Sequence, residues 1–96
     1  MSIRIKGYLT FRESIGEQLF EENETGAATL RELLMKLHHQ MDAEAGKQFF
    51  DPELAQVGEA VMILVNGRSY NILPNQLETP LKDGDEIAIF PPIAGG

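Results

Sequence analysis

Leu30, Leu33, Leu34, Leu37 and Met41 recur at steps of three and four, which lines one side of an α-helix with a single apolar stripe. A helix of that kind must bury its stripe against another element, and the segments around it read as strands. Thr29 followed three residues on by Glu32 has the form of a capping box, and Gly26 suits the entry. The helix is expected to fade between His39 and Gly46. Upstream, Ile3, Ile5, Gly7 and Leu9 alternate with Arg4, Lys6, Tyr8 and Thr10, the period of a half-buried strand. A loop or short turn is expected over residues 11–16, and a weaker strand, the second arm of a hairpin, over residues 17–22.

Downstream of the helix, residues 42–60 read as an irregular connection with a helical turn or two, with Asp51-Pro52 marking a turn. Residues 61–65 form an apolar strand, expected to be covered on both faces. Asn66-Gly67 signals a hairpin turn. A short return strand is expected over residues 68–72, a loop over 73–80, a tight turn over 82–85 and a last strand over 86–90. The order is strand, strand, helix, strand, short strand, strand. It predicts an α+β fold, a small mixed sheet with one main helix packed across it, in the manner of a β-grasp roll.

With 96 residues the chain has room for one domain. It has no cysteine, so disulfides, thiolate metal sites, iron–sulfur clusters and cysteine nucleophiles are ruled out. A reducing cytoplasm is the expected location. The longest apolar run, residues 60–65, is too short to cross a membrane, and the alternating N-terminus lacks the apolar block of a signal peptide. Fifteen acidic residues against eight basic ones give a net charge of −7. That balance argues against a nucleic-acid partner. It either keeps a small protein soluble or attracts a partner with a basic face.

Side chains for unaided chemistry are missing. His38 and His39 are adjacent, so on a helix they do not share a face and chelate one metal poorly; they read as a solvated helix end favoured by the dipole. No metal site and no bound cofactor is expected. Asp83-Gly84-Asp85 lacks the ligand spacing of a calcium loop. There is no P-loop or dinucleotide fingerprint, and no set of nucleophile, base and orienting group.

The end of the sequence is distinctive. It reads Phe90-Pro91-Pro92-Ile93-Ala94-Gly95-Gly96. Two prolines remove two backbone donors, so strand pairing must stop near Phe90, and they favour an extended chain. The six residues beyond Phe90 reach about 20 Å. Gly95 and Gly96 carry a carboxylate with no side chain beside it, a tip able to thread a narrow channel. The division expected is a folded domain over residues 1–90 and a flexible tail over residues 91–96. Parity turns Ile87 and Ile89 toward the helix and Ala88, Phe90 and Tyr8 to the opposite face. Two aromatic rings there are either a contact patch or ordinary scattered exposure.

The segment from Asp83 to Gly96 resembles the signature of the MoaD/ThiS family of ubiquitin-like sulfur carriers, and most narrowly its MoaD branch, the small subunit of molybdopterin synthase. Phe11-Arg12-Glu13 with Gly16, and Leu64-Val65-Asn66-Gly67-Arg68, are similar to family positions. The likeness is weak from about residue 42 to residue 60, where this chain is longer than the shortest members. The resemblance implies a ubiquitin-like β-grasp. It implies that a ubiquitin-activating-type enzyme, supplying ATP and magnesium, adenylates the carboxylate of Gly96, and that sulfur then replaces AMP to give a thiocarboxylate. In the MoaD branch the sulfur passes to a pterin precursor in the large synthase subunit. By position, the resemblance assigns partner contacts to Tyr8 and Phe90, to the tail residues Pro91, Pro92, Ile93 and Ala94, and to a third site near Ser69 or Tyr70, where Ser69 is a polar departure. Two other functions fit the same ending: a protein modifier joined through Gly96 to lysines of target proteins, and a sulfur carrier for thiamin thiazole or another pathway.

Overall fold

The computed structural model describes residues 2–21 and 29–91. Five strands form one sheet in the order β2-β1-β7-β5-β6. β1 (Ser2–Gly7) and β2 (Glu17–Glu21) are the antiparallel arms of the first hairpin. β7 (Glu86–Phe90), the last element in the chain, lies between β1 and β5 (Met62–Val65), parallel to the first and antiparallel to the second. β6 (Arg68–Ser69) completes the edge. This mixed sheet with a helix on one face is the ubiquitin-like β-grasp that the order of elements and the family resemblance predict.

The main helix, α2 (Leu30–Gln40), starts as its sequence requires. The Thr29 hydroxyl accepts from the Glu32 N–H (3.2 Å), and the Glu32 carboxylate accepts from the Thr29 N–H (2.9 Å). Leu30, Leu33, Leu34 and Leu37 are buried against Ile3, Ile5, Ile63, Val65, Ile87 and Ile89 from the facing side of the sheet. Each such side chain removes apolar surface worth roughly 1.5–3 kcal/mol. The expected entry residue, Gly26, lies outside the described residues.

Several elements differ from the sequence reading. Residues 11–14 are a helical turn, α1 (Phe11–Ser14), which inserts Phe11 and is followed by Ile15; both are buried core residues. α2 ends at Gln40, inside the interval expected for it, and a second helix, α3 (Ala43–Phe49), begins where the Asp42 carboxylate accepts from the Ala45 N–H (2.8 Å). The stretch from 42 to 60 thus contains the helical turn or two expected of it, followed by a short hairpin that the sequence reading did not include, β3 (Phe50–Asp51) and β4 (Gln56–Val57). Phe49 and Phe50 are fully buried, with Phe49 meeting Phe11 edge to face at 5.7 Å. β5 is covered on one face only: Ile63 and Val65 are buried, Leu64 is half-buried and Met62 is 51% exposed. The return strand β6 ends after Ser69 and gives way to a 3-10 turn (Tyr70–Ile72). The hairpin turn before it is as expected, with φ of 51° at Asn66 and 85° at Gly67. No helix among the described residues is long and apolar enough to cross a membrane.

Candidate functional site

The site is built on the sheet face that α2 leaves open. Because paired residues share a face, the strand registers give it directly. One row runs Glu17, Lys6, Ala88, Leu64, Ser69 across all five strands. The next row, toward the end of β7, holds Phe90 beside Met62. Tyr8 joins Phe90 there, since its N–H donates to the Ile89 carbonyl (2.9 Å) and carries the β1–β7 pairing one residue beyond the strand. Toward the other end of β7, Arg4 sits between Leu19 and Glu86. The face is thus polarised, charged at that end and apolar where β7 finishes.

The Tyr8 and Phe90 rings are stacked, with centroids 4.3 Å apart and planes 8° from parallel. Stacking of this kind is worth about 0.5–1.5 kcal/mol beyond burial and holds both rings in one orientation. The Lys6 ammonium lies 5.1 Å from the Tyr8 centroid, a cation–π contact at the border between the apolar and charged ends. Tyr8, Phe90, Ala88 and Leu64 are half-buried. The result is a small apolar corner, partly open to water and bordered by a cation. The next residue, Leu9, is 58% exposed and has φ of 54°, a left-handed conformation that a leucine adopts only when its surroundings impose it.

The residues singled out in the sequence fall into three groups. Tyr8 and Phe90 come together on the open face. Tyr70 does not join them: it packs against the core, and the open-face position opposite Leu64 is Ser69. Pro91 is buried, so it is part of the folded body and any free arm starts no earlier than residue 92. Pro92, Ile93, Ala94, Gly95 and Gly96 lie outside the described residues. Met62, Leu64 and Lys6 were missed as parts of the corner. Lys6 could have been placed there by its parity with Tyr8, whereas the uniformly apolar run of residues 60–65 gives no signal for Met62 and Leu64.

His38 is not a solvated end. It is half-buried, and its Nδ1–H donates to the Gly46 carbonyl (3.2 Å), tying α2 to α3. Its ring meets that of His39 edge to face at 5.7 Å. Among the described residues no three His, Asp or Glu side chains gather as a metal site.

Comparison with known proteins agrees with this arrangement. Residues 9–96 match the ThiS family. The chain is 34% identical to small archaeal modifier protein 3 of Haloferax volcanii over 96 residues, the whole of both chains. Its fold matches the solution structure of the HVO 2177 protein of Haloferax volcanii with a TM-score of 0.77 at 33% identity, covering 100% of this chain and 87% of that one. It also matches a chain in the complex of subunits 1 and 2 of the molybdopterin-converting factor from Helicobacter pylori, with a TM-score of 0.58 at 25% identity over the whole of both chains.

Proposed function

Because the chain belongs to the ThiS family of ubiquitin-like sulfur carriers and modifiers, we propose that it works as a carrier of an activated carboxyl group at Gly96, and that the activated group delivers sulfur for molybdopterin synthesis. The observation that carries this reading is the position of β7. The central strand ends at a stacked aromatic pair and a buried proline, immediately before Pro92-Ile93-Ala94-Gly95-Gly96. A partner holding the terminal glycine therefore also meets the apolar corner of Tyr8, Phe90, Met62 and Leu64.

The chemistry needs little from this chain. A carboxylate is a poor acyl donor. Its oxygen attacks the α-phosphorus of ATP, pyrophosphate leaves, and the resulting acyl adenylate has AMP as a good leaving group. A hydrosulfide-equivalent donor then attacks the acyl carbon and displaces AMP, which leaves a thiocarboxylate. ATP, magnesium and the sulfur donor belong to the adenylating partner. The chain contributes a tip without side chains and a surface that positions it. A pterin precursor held in the large subunit of a molybdopterin synthase is the proposed sulfur recipient, a reading supported by the likeness to the Helicobacter pylori complex.

A second fate is favoured by a specific observation, the 34% identity to an archaeal modifier protein. There a lysine ε-amine displaces AMP and forms an isopeptide bond with Gly96. One experiment separates the two. The protein is incubated with ATP, magnesium, an activating enzyme and a sulfur donor, and its intact mass is measured; peptides from cells are examined for Gly-Gly branches on lysine. Exchange of the terminal oxygen for sulfur supports carriage, and branched lysines support modification. Deleting Gly95 and Gly96 should abolish both. So should adding one residue after Gly96, because the carboxylate moves by about 3.5 Å. Variants modified as readily as the native chain would show that Gly96 is not the reactive residue.

A further inference from the structure

The stretch from residue 42 to residue 60 forms one wall of a groove that opens at the root of the tail. The groove has a volume of about 440 Å³ and is lined by Thr10, Lys47, Gln48, Gly58, Glu59 and Pro91. We propose that this groove is a second contact site for the enzyme that activates Gly96, and that Lys47 and Glu59 determine which enzyme the chain accepts. The inference rests on the reading of Gly96 as the reactive residue.

The wall is built rather than incidental. The Gly58 N–H donates to the Phe49 carbonyl (2.8 Å), and the Gly58 carbonyl accepts from the Val61 N–H (3.1 Å). A Cβ at position 58 would overlap the Gln48 carbonyl oxygen, so the chain can lie this close to the end of α3 only as glycine. Phe49 and Phe50, next to the wall, are fully buried in the core. On the opposite side, Pro91 is buried too. Tail root and wall are therefore held by one rigid body, and their spacing is fixed before any partner arrives.

Reach brings the enzyme close to the groove. Five residues separate Pro91 from the end of Gly96, about 17 Å when extended. An enzyme that brings ATP to that carboxylate must approach the folded body within this radius of Pro91, where the groove opens. The apolar corner on the sheet face offers general adhesion. The groove adds charge, which selects among partners. Residues 42–60 contain five acidic side chains, Asp42, Glu44, Asp51, Glu53 and Glu59, and one basic one, Lys47, which is −4 of the chain's −7. Lys47 and Glu59 are exposed, and neither forms an ion pair with another described residue. The matching surface is basic overall, with a lysine or arginine for Glu59 and a single carboxylate placed for Lys47.

The test is ATP–pyrophosphate exchange by the adenylating enzyme encoded in the same genome, with the full chain as substrate. Native protein is compared with Lys47→Glu, Glu59→Lys and Lys47→Arg, and with a chain lacking Gly95 and Gly96. Both substituted residues are exposed, so thermal melts should match the native one. Each charge reversal should raise KM for the carrier roughly fivefold or more, with kcat within about twofold, and Lys47→Arg should keep a near-native KM. If both reversals leave KM within about twofold while native protein is active, the groove is not a contact site. A fall in kcat at unchanged KM would also overturn the proposal. No exchange with native protein, or equal exchange with the shortened chain, overturns the reading of Gly96 and this inference with it.

Discussion

Phe90 belongs to two structures at once. Its backbone ends the central strand, and its ring lies flat on Tyr8 at the margin of the open face. Replacing it with lysine puts a charge in the apolar corner without touching the buried Ile87 and Ile89. Association with the activating enzyme should weaken about tenfold or more, the range of a contact residue at the centre of a patch, and calorimetry measures it directly. The melting temperature should change by only a few degrees. Unchanged affinity would remove the corner from the interface. Parity alone brought Tyr8 and Phe90 to one face. It did not do the same for Met62 and Leu64, because a run of six apolar residues from Ala60 to Val65 looks the same whether one or both faces are covered. Tyr70 was misplaced for a different reason: β6 ends one residue before it, and the 3-10 turn rotates its ring toward the core.

Among the elements, α2 was legible to its first residue because the cap and the stripe agree. Thr29→Ala removes the hydroxyl that accepts from Glu32 N–H and should cost about 1 kcal/mol, seen as a lower urea midpoint with an unchanged slope. The bounds of α3 were hidden. Gly46 sits inside the helix, and glycine disfavours helix interiors. Packing is close there: a Cβ would approach His38 Cε1 to 3.1 Å, so the imidazole would have to give by a few tenths of an ångström. Such a contact is with a residue eight positions away and leaves no periodic trace. The hairpin β3–β4 was equally invisible, with two residues in each strand. The segment nonetheless belongs to the core. Phe49→Ala should destabilise the protein by about 3–5 kcal/mol, a large part of the stability of a domain this size; a loss below about 1 kcal/mol would mark residues 42–60 as an appendage.

On the scale of the whole molecule, charge acts before contact. A chain of net charge −7 meeting a basic partner should be steered by long-range attraction, so raising the salt from about 0.05 to about 0.5 M should slow association several-fold with a smaller effect on dissociation. Stopped-flow measurement of both rates checks this. The topology has a consequence of another kind, for the order in which the molecule is made. β1 emerges first and β7 last, yet the two lie side by side in the middle of the sheet. Until the ribosome has passed Phe90, β1 and β5 have no strand between them and the places of Ile87 and Ile89 are empty. Proteins assembled from local contacts can begin folding while their ends are still being translated. This one must wait until β7 has been made. A product cut short before Phe90 cannot close the sheet, and it is left as unfolded chain for the cell's proteases. Completion of the sheet is thereby a proofreading step on synthesis: no product cut short before β7 is complete reaches an activating enzyme in native form.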